Sequence, residues 1–377
     1  MGQRLSELLT PCLVLEGGKL ERNIQRMAGR AEELGVSLRP HVKTCKSAAI
    51  AALLAPARSC ITVSTLQEAE YFAREGFRDI MYAVSIVPAK LEKIAQLNAQ
   101  GAHVQVILDN LATARQLADS AKQRGVCFPA WIEIDVDGHR AGLEPRDPLL
   151  IEIGQFLQDS EGTALMGVMT HAGESYECHS TQELEKHAEL ERRLCVQAAD
   201  SLRSKGIMCP RVSVGSTPTA LSAKSLQGVN ELRAGVYVFF DLFQAGLGVC
   251  SLDDIALSVL TTVVSHKTSH RRLIIDAGGL ALSKDRGTAS QAIDCGYGLV
   301  LRAESGKLIP GLQVVAANQE HGMIDLPAGF QFDQFPVGSQ LRILPNHACM
   351  TAAAHGHYNV VDGDDLIIDR WQRCNGW

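Results

Sequence analysis

The 377-residue chain carries 36 Lys and Arg against 42 Asp and Glu, for a net charge of −6, with 46% hydrophobic and 21% charged residues. With no basic cluster interleaved with aromatics, this balance excludes a nucleic-acid or anionic-membrane partner. The length fits two domains, or one large α/β barrel with an appended module.

The first residues, Met-Gly-Gln-Arg-Leu-Ser-Glu, lack the apolar core of a signal peptide, and the apolar stretch 236–250 is broken by Asp241 and Gln244. Eleven cysteines, an odd number with no Cys-x-x-Cys pair, read as reduced thiols of a cytoplasmic protein rather than a disulfide framework or zinc knuckle.

In chain order, residues 10–15 read as a strand. A helix follows, on which Leu20, Ile24, Met27, Ala31 and Leu34 share one face before Gly35 stops it. Strand-like runs recur at 36–42, 61–65, 80–86, 103–108, 130–135, 164–170, 211–215 and 236–241. Helical patterns at 48–54, 66–75, 89–100, 112–124, 149–157 and 183–205 separate most of them, the last opened by a Ser180/Glu183 capping box. This alternation predicts right-handed βαβ units, and about eight of them suit a closed (β/α)8 barrel. No Gly-x-Gly-x-x-Gly follows the first strand, which counts against dinucleotide binding. Beyond about residue 248, runs at 255–264, 272–276, 312–316, 340–344 and 358–361 predict a mainly β domain. The expected division is therefore 1–248, whose first residues are free to join the β domain, and 249–377.

Three segments carry chemistry. Arg39-Pro-His-Val-Lys43 ends the second β run, where barrel strands deliver side chains to the active-site mouth. A lysine partly desolvated there has a lowered pKa and condenses readily with a carbonyl, although by position alone a solvated strand-end lysine is the commoner case. Val214-Gly215-Ser216-Thr217 ends another β run with small hydrogen-bonding residues that could cradle a phosphate or form an ordinary turn. Pro345-Asn-His347-Ala-Cys349 would, on one strand, place imidazole and thiolate on the same face. Such a pair suits Zn2+ and leaves positions open, but the bare pattern is common.

The string Arg-Pro-His-Val-Lys-Thr-Cys-Lys-Ser resembles the cofactor-lysine motif of the D-serine dehydratase and D-threonine aldolase group, fold-type III pyridoxal-phosphate enzymes related to alanine racemase. The resemblance continues through Thr62-Val-Ser-Thr-Leu-Gln-Glu68-Ala, Trp131-Ile-Glu-Ile-Asp-Val-Asp-Gly-His-Arg140, Thr170-His-Ala-Gly-Glu-Ser-Tyr176, Val214-Gly-Ser-Thr-Pro218 and Arg233-Ala-Gly-Val-Tyr-Val-Phe-Phe-Asp241. It implies an alanine-racemase-like barrel with pyridoxal 5'-phosphate on Lys43, and the phosphate at Ser216 and Thr217 with Gly235 and Tyr237 as further contacts. Arg140 then resembles the arginine at the cofactor's phenolic oxygen. Tyr176 resembles the residue beside the pyridine nitrogen, with Arg233 its rival; His171 reads equally as catalytic or as a satisfied barrel histidine.

The resemblance also makes His347 and Cys349 a Zn2+ pair. An aspartate stands in place of the cysteine in the aldolase branch, where Mn2+ is favoured, and Co2+ is a further alternative. His355 and His357 nearby read as loop histidines. The implied activity is dehydration of a small D-β-hydroxy-amino acid, 3-hydroxy-D-aspartate or D-serine, to a 2-oxo acid and ammonia. Lys43 would act as the base at Cα and the metal would assist departure of the β-hydroxyl. Retro-aldol cleavage to glycine and an aldehyde is the alternative, and a non-catalytic cofactor carrier a third reading, which the C-terminal domain disfavours. A distal substrate carboxylate has Arg140, Arg233, Lys284 and Arg286 as candidate cations. A homodimer is also implied, in which the 283–287 segment could cross the interface.

Overall fold

The computed structural model describes residues 2–138 and 140–377, so His139 of the Asp-Gly-His-Arg motif lies outside the described residues. The chain divides into two compact units, one comprising Arg26–Gly235 with the last two residues, the other the first 25 residues with Val236–Asn375.

The strands, in chain order, are β1 (Cys12–Glu16), β2 (Ser37–Pro40), β3 (Cys60–Val63), β4 (Asp79–Ser85), β5 (His103–Leu108), β6 (Phe128–Ile134), β7 (Thr163–Thr170), β8 (Arg211–Val214), β9 (Glu231–Ala234), β10 (Leu257–Lys267), β11 (Arg272–Ile275), β12 (Leu299–Arg302), β13 (Leu308–Ala317), β14 (Gly322–Asp325), β15 (Gln340–Leu344), β16 (His357–Val361) and β17 (Asp369–Gln372). Strands β2 to β9 form one parallel sheet in the order β2-β9-β8-β7-β6-β5-β4-β3. A parallel bridge between His41 and Thr62 joins its two ends, closing the barrel. The expected alanine-racemase-like barrel and β domain are both present.

Local chemistry explains the barrel's helices. Thr65 caps the helix Leu66–Arg74 at Glu68 N, and Asn110 caps Leu111–Arg124, which Gly125 ends in the left-handed region. Ser180 Oγ accepts from Glu183 N at 3.2 Å, but the Glu183 carboxylate reaches back to His179 N, so the expected capping box is offset by one residue.

The last barrel strand differs from expectation. Residues 236–241 are not a strand: Val236–Val238 is a 3-10 turn, and β9 is Glu231–Ala234. Its sequence, Glu-Leu-Arg-Ala, lacks a strand signal because its side chains enter an ionic barrel interior. Arg39 is 1% exposed and donates to Glu231 Oε2 (2.7 Å) and Asp79 Oδ1 (2.8 Å). Gln105 links Asp79 (2.6 Å) to the Trp131 indole (2.6 Å), and Ser213 links Glu231 (2.6 Å) to Arg233 (2.6 Å). Met81, Ile107, Trp131 and Met169 pack together as a hydrophobic cluster, which the Trp131 indole joins to this belt.

In the other unit the sheet order is β11-β14-β13-β12-β15-β10-β1-β16-β17, and β11 also pairs with β10. Residues 10–15 contain the expected strand, but it belongs here: β1 lies antiparallel to β10 (Leu13 opposite Val259) and parallel to β16 (Leu13 opposite Tyr358). Strands β12, β14 and β17 were not legible in the sequence. They are four residues each, and β17, Asp-Arg-Trp-Gln, is a polar edge strand. No described helix is long and apolar enough to cross a membrane.

Candidate active site

Because the barrel strands are parallel, residues that follow their C-terminal ends share one mouth. Strand β2 stops at Pro40, and Val42 N donates to Thr62 O at 2.9 Å. Lys43 then occupies a turn rather than the strand itself and is exposed, which corrects the expectation of a desolvated lysine. The turn is held from behind. Lys46 N bonds Val42 O (2.7 Å), and Lys46, at φ +46°, sets its ammonium 3.1 Å from the fully buried Glu68. On the other side, His41 Nδ1 lies 3.4 Å from Lys43 N.

After β7 come His171 and the 3-10 turn Gly173–Glu177 bearing Tyr176, whose ring lies 6.3 Å from the His171 ring. After β8, Ser216 caps the short helix Thr217–Ser222, and its hydroxyl lies 3.1 Å from Ser175 Oγ. His171 Nδ1 sits 3.1 Å from Gly215 O, joining the two loops. Gly235 follows β9, where a Cβ would stand 2.8 Å from His41 O; at Gly215, φ +132°, it would stand 2.3 Å from Arg233 O. Close approach of neighbouring strands therefore requires both glycines. Tyr237 is fully buried and belongs to the unit of the first 25 residues and Val236–Asn375, not to the barrel unit.

Positive charge acts on both histidines of the mouth. Burial and the charges of Lys43 and Arg140 lower the His171 pKa to about 3, and burial with Lys43 and Arg233 holds His41 well below its usual value. Both imidazoles are thus neutral near pH 7. Arg233 is buried and donates to Ser213 and to the Thr170 carbonyl, so its guanidinium belongs to the barrel interior. Arg140 is exposed after β6, and its charge also bears on the buried Glu133, whose pKa burial raises. An amine for the aldehyde, hydroxyls at Ser216 and Thr217 and the nearby charges of Lys43 and Arg140 fit the aldehyde and dianionic phosphate of pyridoxal phosphate. Lys46, Glu68 and Glu133 lie within the motifs of the sequence, which gave them no role.

In the other unit, His347 and Cys349 do not share a strand. Strand β15 ends at Leu344, His347 immediately precedes the helix Ala348–Ala353, and Cys349 lies in its first turn. Asp241 turns the chain here: its Oδ2 accepts from Ala348 N (2.9 Å), while Leu242 N and Phe243 N bond the carbonyls of Pro345 and Asn346. Pleat alternation therefore does not pair the two side chains; the helix turn does, and they share a hydrogen bond. His347 Nδ1 lies 2.7 Å from Asp285 Oδ2, leaving Nε2 for a metal. Burial alone would lower the His347 pKa, but bonds to Asp285 and Cys349 raise it to about 11. Among the described residues no three or more His, Cys, Asp and Glu side chains form a metal cluster, so the pair fits an open site with two protein donors. His355 is engaged at Ala281 O (3.0 Å). Lys284 bonds the Ala317 carbonyl and Arg286 pairs with Asp294.

The alanine racemase N-terminal domain family matches residues 16–242, and the putative serine dehydratase domain matches residues 256–361. The chain belongs to the alanine racemase N-terminal domain family. Within it, the D-threo-3-hydroxyaspartate dehydratase of Delftia sp. strain HT23 is 48% identical, covering 100% of both chains, and its solved structure superposes with a TM-score of 0.96. Structures of that dehydratase also exist with a histidine, or a cysteine two positions further on, replaced by alanine, the cysteine variant in a metal-free form. The D-serine dehydratase of Dictyostelium discoideum is 32% identical over 99% of this chain and 98% of its own. A D-threonine aldolase from Filomicrobium marinum is 26% identical over 99% of this chain and 97% of its own, with a TM-score of 0.84. The resemblance drawn from the motifs is borne out, and these family members match across both units.

Proposed function

We propose that this chain is a pyridoxal-phosphate- and zinc-dependent dehydratase that converts a D-β-hydroxy-amino acid, 3-hydroxy-D-aspartate or D-serine, to a 2-oxo acid and ammonia. The observation that carries the reading is the His347–Cys349 pair backed by Asp285, in the same chain as a barrel mouth that bears Lys43 and Arg140. When bound, pyridoxal phosphate supplies an electron sink for charge developing at Cα, and zinc a Lewis acid for the β-hydroxyl.

The chain's own residues do the rest. Lys43 provides the amine that holds the cofactor and, once released, takes the Cα proton at Nζ. Ser216 and Thr217, with Gly235 and Tyr237 as further contacts, hold the phosphate, while Arg140 and Tyr176 flank the ring. Neutral His41 and His171 add no positive charge beside Lys43, whose amine must lose its proton to act as a base. His347 and Cys349 hold the metal, and Asp285 keeps the His347 proton on Nδ1. Net reaction breaks the Cα–H and Cβ–OH bonds and then the C–N bond. The dehydratases at 48% and 32% identity support this outcome over carbon–carbon cleavage. Eleven free thiols, six of them buried, support a reducing, cytoplasmic setting, and a second copy of the chain is the partner the family relationship suggests.

Product analysis with D-threo-3-hydroxyaspartate, with and without a chelator, tests the proposal. Oxaloacetate and ammonia, lost on chelation and restored by zinc, are expected; glycine and glyoxylate would overturn it.

A further inference from the structure

Behind the barrel mouth lies a carboxylate to which the reaction assigns no part. The helix Thr181–Ser204 buries Leu184, Ala188, Glu191, Cys195, Ala198, Ala199 and Leu202, an apolar stripe in which Glu191 is the one charged residue. A carboxylate 2% exposed is costly unless donors satisfy it. Glu191 has three. Its Oε1 accepts from Ala172 N at 3.1 Å and from Gly215 N at 3.0 Å, and the Thr219 hydroxyl donates to it as well.

These donors belong to two different loops. Ala172 lies between His171 and Tyr176 after β7, and Gly215 precedes Ser216 and Thr217 after β8. One oxygen thus fixes the spacing of both loops from behind. Thr219 in turn meets Ser216: its Oγ1 accepts from Ser216 N at 3.0 Å and lies 3.0 Å from the Ser216 hydroxyl. Glu191 therefore braces the segment that carries Ser216, through Gly215 and Thr219.

We infer that Glu191 is a positioning residue for the phosphate end of pyridoxal phosphate, holding the Ala172 and Gly215 loops together without touching the cofactor. This rests on the reading of Ser216 and Thr217 as the phosphate contacts. Glu191→Gln keeps an amide oxygen able to accept both backbone N–H bonds, whereas Glu191→Ala removes the acceptor and lets the loops part. The loss then falls on the phosphate and spares the aldehyde end held at Lys43.

The test titrates cofactor-free protein with pyridoxal phosphate and with pyridoxal, which lacks the phosphate, and compares the two dissociation constants by the absorbance of the bound chromophore. In Glu191→Ala the preference for the phosphorylated form is expected to fall about 10- to 100-fold, the worth of a charge-assisted hydrogen bond. Pyridoxal itself should bind as in the parent, and Glu191→Gln should keep the parental preference. Should Glu191→Ala not fold, Glu191→Asp, one methylene shorter, carries the same expectation. An unchanged preference, an equal loss for both ligands, or a Gln variant as impaired as Ala would overturn the inference. A parent protein without any preference for the phosphorylated form would instead overturn the reading of Ser216 and Thr217.

Discussion

Replacing Asp285 with asparagine changes one atom in the proposed metal site, and its consequence follows from two hydrogen bonds. Asp285 Oδ2 lies 2.7 Å from His347 Nδ1, and its Oδ1 accepts from Gly287 N at 2.9 Å. An asparagine has one acceptor for two donors. If its oxygen keeps Gly287, its NH2 faces Nδ1, which must then present a lone pair, moving the imidazole proton to Nε2 and blocking the metal-binding nitrogen. If the oxygen turns to His347, two donors meet at Gly287. Alanine removes the acceptor but imposes no tautomer, so Asp285→Asn should lose at least as much affinity as Asp285→Ala. Outer partners of metal-ligating histidines are worth about 10- to 100-fold in affinity, or about 1.4–2.8 kcal/mol. A competition titration of zinc against a chromophoric chelator measures this, with cofactor content as the control for the barrel. Zinc affinity in Asp285→Asn within about twofold of the parent would refute the assignment of His347 Nε2 as a ligand.

Three further outcomes are expected. In Lys43→Ala, borohydride treatment should no longer fix the cofactor covalently to the chain, and a retained mass adduct would remove Lys43 from its role. Arg39→Met should cost about 3–5 kcal/mol, because Glu231, with a side chain 4% exposed, loses its cation. Urea unfolding followed through the buried Trp131 reports on this barrel; Glu231→Gln added to Arg39→Met should recover part of the loss, and a cost below about 1 kcal/mol would contradict the ionic-core account. The His171 pKa is about 3 in the folded, cofactor-free chain against an ordinary 6.5, so the unfolded chain binds the extra proton between these values. His171 therefore favours the folded state fully above about pH 6.5 and loses that contribution as pH falls towards 3, at up to about 1.4 kcal/mol per pH unit. The stability of His171→Asn should fall less steeply over that window, and identical slopes in parent and variant would show that His171 titrates freely in the fold.

The sequence determined the barrel alternation, because strands buried on both faces and helices with one apolar stripe leave periodic signatures that short-range patterns preserve. The residue string at Lys43 and the His347–Cys349 spacing were legible for the same reason: each is a local run. Tertiary structure decided whatever depends on distant partners. Only packing shows that residues 10–15 pair with β10 and β16, or that Glu231–Ala234, too charged to read as a strand, is a barrel strand whose Glu231 meets Arg39 and Ser213. Only Asp241, through its bond to Ala348 N, reveals that His347 and Cys349 meet on a helix turn. Asp285 and Glu191 stand far along the chain from the groups they orient, at His347 and at Gly215. A hydrogen bond has no sequence period, so the residues that carry chemistry can be read from a motif, while those that aim them are fixed only by the fold.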